Sequence, residues 1–301
     1  MPATLTVAIP THNRADLLRE TLASIAAQRI PPEVSADCVV IDNASSDDTR
    51  AAVESAARSA PFPVRHVLEH RVGSSYARNR AVNETASGYI FFIDDDAVAA
   101  PDWAAELLAE IEHRNLDAAC GAVLPNWTAP PPAWLGPSLY SKLAVHDERM
   151  LAAPFASVED LANYYSANVG FRRAAFERFG RFREDLGVVG GRPFSGEDTE
   201  LFARIIARGG RLGFAPRAIV RHTIGAERMT RAYLVRKSFA FGMGSAVAGG
   251  KSHNRIDKLA RNVARLVGAA VRGDSERVVY HQLECANFLG YWRARLLSRR
   301  A

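Results

Sequence analysis

"GYIFFIDDDAVAAPDWAAELLAEIEH", residues 88–113, is the stretch on which the fold turns. Its apolar run is too short for a helix and shows no polar alternation, so it reads as a strand buried on both faces. "PDWAAELLAEIEH" (101–113) then reads as a helix with proline at its start. Between strand and helix stand three aspartates, Asp94, Asp95 and Asp96. Carboxylates crowded at a strand end repel one another and resist desolvation, so the cluster calls for a compensating partner.

The same grammar repeats outward. "TLTVAI" (4–9), "ADCVVIDN" (36–43), "FPVRHVLE" (62–69) and "LDAACGAVL" (116–124) read as strands. They alternate with helices over 14–28, 49–59, 74–86 and 101–113, which makes an α/β fold with a mainly parallel sheet flanked by helices. In such sheets ligands bind at the carboxyl ends of the strands. That rule puts Pro10, Thr11, His12, Arg14, Asp42, Asn43 and the three aspartates along one rim.

From residue 125 the texture changes. "PNWTAPPPAWLGPS" (125–138) reads as a structured loop, 138–165 is mixed, and 167–182 reads as a short strand and a helix closed by Gly180. A Gly-rich loop (185–198) leads into the helix "EDTELFARIIARGG", and "RLGFAPRAIVRH" (211–222) gives one or two short strands ending at His222. Residues 229–301 read as helical with a break near 249–254. The expected organisation is a domain over 1–228, divided near residue 124, followed by a basic helical region (229–301).

The chain has 301 residues, 48% apolar and 24% charged, enough for a sizeable core. Its formal charge of +5 is uneven: residues 229–301 hold 14 Lys and Arg against 4 Asp and Glu, so the front is mildly acidic. A basic tail suits packed, solvated helices or an anionic membrane surface. Nucleic acid has nothing but charge in its favour and is not expected. Cys38, Cys120 and Cys285 form no CxxC pair, which suits a reducing compartment. With no signal peptide or spanning segment legible, a cytoplasmic protein is expected, at most peripheral at the inner membrane face.

The acidic cluster fits a hard divalent cation, Mg²⁺ or Mn²⁺, because Asp94 and Asp96 reach the same side of a turn; a helix cap is the plainer alternative. "GED" (196–198) lies at a helix N-terminus, where an ionised carboxylate is favoured as a base or merely as a cap. His222 is a metal ligand only if its strand returns to the rim.

In order along the chain stand "VAIPTHNR", "VVIDNASSDDT", "GSSYARNRAV", "FFIDDDA", "SANVGFRR", "GEDTELFARI" and His222. This series resembles the family 2 inverting glycosyltransferases, which have the nucleotide-sugar-binding GT-A fold, over about residues 4–225. The resemblance implies a nucleotide-sugar-binding half over 1–124 and an acceptor-side half over 125–228, where Trp127 and Trp134 stack on a sugar face or anchor their loop. The resemblance implies that Pro10, Thr11, His12 and Arg14 border the nucleotide. Asp42 then contacts the base with Asn43 beside it, and Gly73, Arg78 and Asp95 line the donor site. Asp94 and Asp96 match the DxD motif, with Asp96 the direct metal ligand, Asp94 nearer the ribose and His222 a further ligand. Asp198 matches the general base, Glu197 assists at acceptor hydroxyls, and Asn168 and Gly170 lie close to the sugar.

The implied partners are a nucleotide-diphosphate sugar, UDP foremost, and a glycan, lipid-linked or small-molecule acceptor. The "QxxRW" motif and membrane helices of processive relatives are missing, so a single transfer is expected. The rivals are a non-catalytic carbohydrate-binding protein of the same fold and a nucleotidyltransferase. The latter usually needs a glycine-bearing phosphate loop after strand one, which "PTHNRADL" lacks.

Overall fold

A computed structural model describes residues 3–149, 164–189, 192–193, 196–249 and 256–298. Much of the mixed stretch at 138–165, part of the Gly-rich loop and nearly all of the break at 249–254 fall outside these residues.

The front of the chain follows the expected alternation. Strands β1 (Ala3–Thr11), β2 (Val34–Asp42), β3 (Val64–Leu68) and β4 (Tyr89–Ile93) alternate with helices α1 (Ala15–Ala26), α2 (Thr49–Ala57) and α3 (Ser74–Glu84). Then come β5 (Ala97–Ala99), α4 (Trp103–His113), β6 (Ala118–Trp127), β7 (Asn168–Arg172), α5 (Arg173–Phe179) and the two-residue strands β8 (Val188–Val189) and β9 (Arg192–Pro193). Helix α6 (Glu197–Ala207), strand β10 (Leu212–Ile224) and helices α7 (Arg231–Val247), α8 (Ile256–Val271) and α9 (Ser275–Ser298) complete the described chain.

The main sheet has eight strands in the order β3-β2-β1-β4-β7-β6-β10-β5. Strands β1 to β4 run parallel, as do β6 and β10, but β7 is antiparallel to both β4 and β6 and β5 is antiparallel to β10. The sheet is therefore mixed in its second half. Alternate residues of β4 serve two cores. Phe91 and Ile93 face one with Val7, Ile9 and Trp103, while Ile90 and Phe92 face the other with Val39, Phe171 and Phe202.

The structure moves two expected acceptor residues into the interior. Asn168 is fully buried: its Oδ1 accepts from Trp103 Nε1 at 2.7 Å, and its Nδ2 donates to Ala122 O at 2.9 Å and Ala218 O at 2.8 Å. Strand β10 slips register against β6 between Ala215 and Ile219, and the Asn168 amide bonds a carbonyl inside that bulge. Gly121 leaves the space, since a Cβ there would lie 2.3 Å from Ala218 O and 2.4 Å from the Asn168 amide. Gly170 lies under Phe91, whose ring would be 2.6 Å from an added Cβ.

Asn168 and Gly170 thus set strand packing and do not approach a sugar. Asn168→Ala leaves buried polar groups unpaired and is expected to cost about 3 kcal/mol of stability. Urea midpoints measure this. Unchanged stability with a raised acceptor KM would return the residue to the acceptor side.

The tryptophans also prove to be anchors. Trp127 packs its ring 5.6 Å from Tyr140, Trp134 lies under Arg231 at 5.5 Å, and both rest on the main core. The C-terminal helices join that core through Leu234, Val279 and Leu283. Helices α7 and α9 approach closely because Gly242 abuts the Asn287 backbone and Gly290 that of Phe239, where a Cβ would sit 2.0 Å from the carbonyl oxygen. Among the described residues, no helix is long and apolar enough to cross a membrane. All three cysteines are free.

Candidate active site

The rim forms where β1 and β4 end side by side. Thr11 closes β1 and donates through Oγ1 to Asp95 Oδ2 at 2.7 Å. Arg14, just before α1, places Nη1 3.0 Å from both Asp95 Oδ1 and Asp96 Oδ2. Burial pushes the Asp95 carboxyl up to about 6, with the Arg14 charge opposing and the Asp96 charge reinforcing it. Asp95 is thus tied to its neighbours, while Asp94 and Asp96 flank it on the turn.

His222 reaches the cluster through the sheet. It lies inside β10, where the expectation placed a strand end, and pairs with Ala97 of β5, a strand absent from the expected elements. Thr223 N donates to Asp96 O at 2.8 Å, locking the register. Asp94, Asp96 and His222 thereby offer ligand atoms all within 4.8 Å of one another. Burial alone would raise the Asp96 pKa. The His222 ring, Arg14 and Arg228 outweigh it and hold the carboxyl well below the usual range.

These residues suit a hard divalent cation. Asp96 Oδ1 is buried 3.1 Å from His222 Nε2 and has no hydrogen-bond partner among the described residues, so a buried anionic oxygen is left for another partner.

The cluster opens into a cleft of about 480 Å³. Pro10, Thr11, His12, Arg14, Asn43, Gly73, Arg78, Asp94, Asp95, Asp96, Glu197 and His222 line it, all of them singled out from the sequence. Asn43 shapes its wall: Oδ1 accepts from Gly73 N at 2.7 Å, Nδ2 donates to Arg71 O at 2.7 Å, and its carbonyl meets His12 Nδ1 at 2.7 Å. Buried Arg78 donates to Glu197 Oε1 at 2.7 Å and to Asp94 Oδ1 at 3.3 Å; burial opposes its charge, and these carboxylates restore it.

Asp42 is not among the lining residues. Its carboxylate accepts from Ser45 N at 2.8 Å and pairs with His66 Nε2 at 2.9 Å. Burial works against the ionised form, and those two contacts more than compensate, so its pKa is lowered.

A smaller cavity, about 260 Å³, adjoins the cleft. Asp198 lines it from the first turn of α6, accepting from Ser166 Oγ at 3.0 Å and from Thr199 N at 2.7 Å. Tyr164, Tyr165, Ser238, Phe241 and Asn287 share the wall. Among the described residues, Ala144, Glu197 and Lys237 alone line both spaces. A larger hollow of about 650 Å³, between Ser138 and helices α8 and α9, holds none of the expected site residues.

Sequence reasoning missed Arg228, Tyr233 and Lys237. Arg228 Nη1 lies 3.1 Å from Asp96 Oδ2, and Tyr233 and Lys237 line the cleft from α7. Burial and Arg228 pull the Lys237 ammonium down to about 8. The signal of Tyr233 and Lys237 was hidden in a region that reads as a basic, solvated surface, and Arg228 lies just before it.

Comparison with known proteins agrees with this geometry. Succinoglycan biosynthesis protein ExoM of Rhizobium meliloti is 28% identical over 238 residues, covering 78% of this chain and 72% of that protein. The glucosyl-dolichyl phosphate glucuronosyltransferase of Haloferax volcanii is 27% identical over 242 residues, 79% of this chain and 74% of its own. The mannosyltransferase PcManGT from Pyrobaculum calidifontis, solved with GDP-Man and Mn²⁺, superposes with a TM-score of 0.68 at 19% identity, over 97% of this chain and 86% of its own. That likeness shows the GT-A fold. The family model for glycosyl transferase family 2 matches residues 6–180, and with the fold and the assembled rim it makes this chain a member of that family and an enzyme of the glycosyltransferase type.

Proposed function

We propose that the chain transfers one sugar from a nucleotide-diphosphate donor to an acceptor hydroxyl, with inversion at the anomeric carbon and with Mg²⁺ or Mn²⁺ held by Asp94, Asp96 and His222. The observation that carries this reading is the convergence of those three ligands at the mouth of a cleft adjoining the Asp198 cavity. A bound cation supplies neutralising charge for a departing diphosphate.

The protein's own residues do the rest. Thr11, His12, Arg14 and Asn43 form the wall against which the nucleotide lies. Arg78 holds Asp94 and Glu197 in place from beneath. Asp198, oriented by Ser166 and Thr199, takes the proton of the acceptor hydroxyl as its oxygen attacks. Attack from the face opposite the leaving group inverts the centre and needs no second carboxylate nucleophile.

A hydroxyl-bearing acceptor also suits the smaller cavity. Tyr165, Ser238 and Asn287 on its wall carry buried polar atoms with no hydrogen-bond partner among the described residues. Tyr164 and Phe241 add aromatic surface of the kind that meets sugar rings.

Thermal unfolding with UDP, GDP, dTDP and CDP, each with Mn²⁺ and with EDTA, tests the reading. At a hundredfold excess over Kd a ligand of the native state adds about 2.7 kcal/mol, about 5–10 °C for a domain of this size. The expected outcome is a metal-dependent rise with one nucleotide. No rise with any of the four, in folded protein, counts for the non-catalytic alternative.

A further inference from the structure

We infer that Lys237 is the residue that grips the β-phosphate of the donor and meets its charge as it leaves, a proposal that rests on the function above. Among the described residues, four Lys or Arg side chains line the nucleotide cleft: Arg14, Arg78, Arg228 and Lys237. The three arginines are committed. Arg14 and Arg228 lie within 3.1 Å of Asp96, and Arg78 binds Glu197 and Asp94. Lys237 has no hydrogen bond and no carboxylate within ion-pair distance among the described residues, although Asp94, Asp96 and Asp198 all act on its charge. It is the cleft's uncommitted Lys or Arg cation among those residues.

Its position decides what it meets. The cleft receives the nucleotide and the smaller cavity contains the base, and Lys237 stands where they join. The bond that breaks must lie at that junction, because the anomeric carbon has the leaving phosphate on one side and the acceptor oxygen on the other. As the C1–O bond breaks, its electron pair stays on the β-phosphate oxygen. The acceptor oxygen bonds to C1, and its proton goes to Asp198. The ammonium donates to the oxygen on which negative charge grows. Helix α7 holds it there through the close glycine contacts with α9.

The test compares nucleoside diphosphate with monophosphate. The diphosphate that stabilises the wild type in the panel above, and its monophosphate, are titrated by calorimetry in Mn²⁺ into wild type, Lys237→Ala and Lys237→Arg. Lys237→Ala is expected to weaken the diphosphate about 10- to 100-fold, the size of a lost charge-assisted hydrogen bond. The monophosphate should change less than about threefold on the same grounds, and Lys237→Arg should recover most of the loss. Equal loss for both nucleotides marks a structural role and overturns the assignment. So does an intact diphosphate affinity with a raised acceptor KM, which would put Lys237 on the acceptor. If no diphosphate in that panel stabilises the wild type, the functional reading itself is overturned, and this proposal with it.

Discussion

Asp198→Asn is expected to lower the transfer rate by about 10²- to 10⁴-fold, the range that a positioned general base supplies. The substitution keeps the shape of the side chain. Its amide oxygen keeps the bond from Thr199 N that Oδ1 accepts, so helix α6 should keep its start, while its NH2 replaces Oδ2 and donates to the Ser166 hydroxyl. What disappears is the capacity to accept a proton. Asp198 lines the smaller cavity and not the nucleotide cleft, so the nucleotide affinity of the variant should stay within about threefold of wild type, less than one lost charged hydrogen bond. Single-turnover transfer and nucleotide titration on one preparation separate the two effects. A variant that keeps most of its turnover removes Asp198 from the role of base. One that loses rate and nucleotide binding together points to a disturbed site.

Asp96→Ala is expected to abolish metal-dependent nucleotide binding, with an affinity loss in Mn²⁺ of at least about 100-fold, in line with the cost of removing a charged partner from a buried site. Its carboxylate is the point on which Arg14, Arg228 and His222 converge, and it is buried. Deleting it removes one of three metal ligands and leaves two guanidinium groups facing each other across the gap. The variant should therefore also lose thermal stability in EDTA.

Asp95→Asn is the control. Asp95 is as buried as Asp96, but its oxygens are engaged by Thr11 and Arg14, and it is not part of the ligand group. It should alter stability more than metal affinity. Manganese binding followed by electron paramagnetic resonance reads the difference without any turnover. Equal metal affinity in wild type and Asp96→Ala would sink the assignment.

The legible part of this fold is its first 127 residues. Apart from the three-residue β5, strand and helix signals there are local: β-branched or aromatic runs of five to ten residues separated by amphipathic helices. The parallel order of β1 to β4 follows from the helical connections between them. The acidic turn was legible for the same reason, because a strand end is where such a sheet binds ligands.

Legibility fails where a residue's partner is far away in the chain. Asn168 has the polarity of a ligand-contacting residue. It is instead spent on Trp103 and on carbonyls of β6 and β10, which lie 46 to 65 residues away. Trp127 and Trp134 look like sugar platforms until Tyr140 and Arg231 are seen packed against them. Lys237 looks like surface charge, because the sequence does not say which side of α7 turns inward.

Through the resemblance of its motif series the sequence pointed to a family, and by itself it determined an α/β sheet with a ligand-side rim and the order of its acidic and basic motifs. These depend on periodicity and on groups close together in the chain. Only the tertiary structure decided that β7 enters the sheet antiparallel, that the bulged β10 pairs with β5 to carry His222 to Asp96, and that α7 brings Lys237 to the junction of two cavities. The physical reason is that a strand's neighbour and a helix's inward face are chosen by burial against the whole core. Residues 126 positions apart, such as Asp96 and His222, meet only once that core has formed.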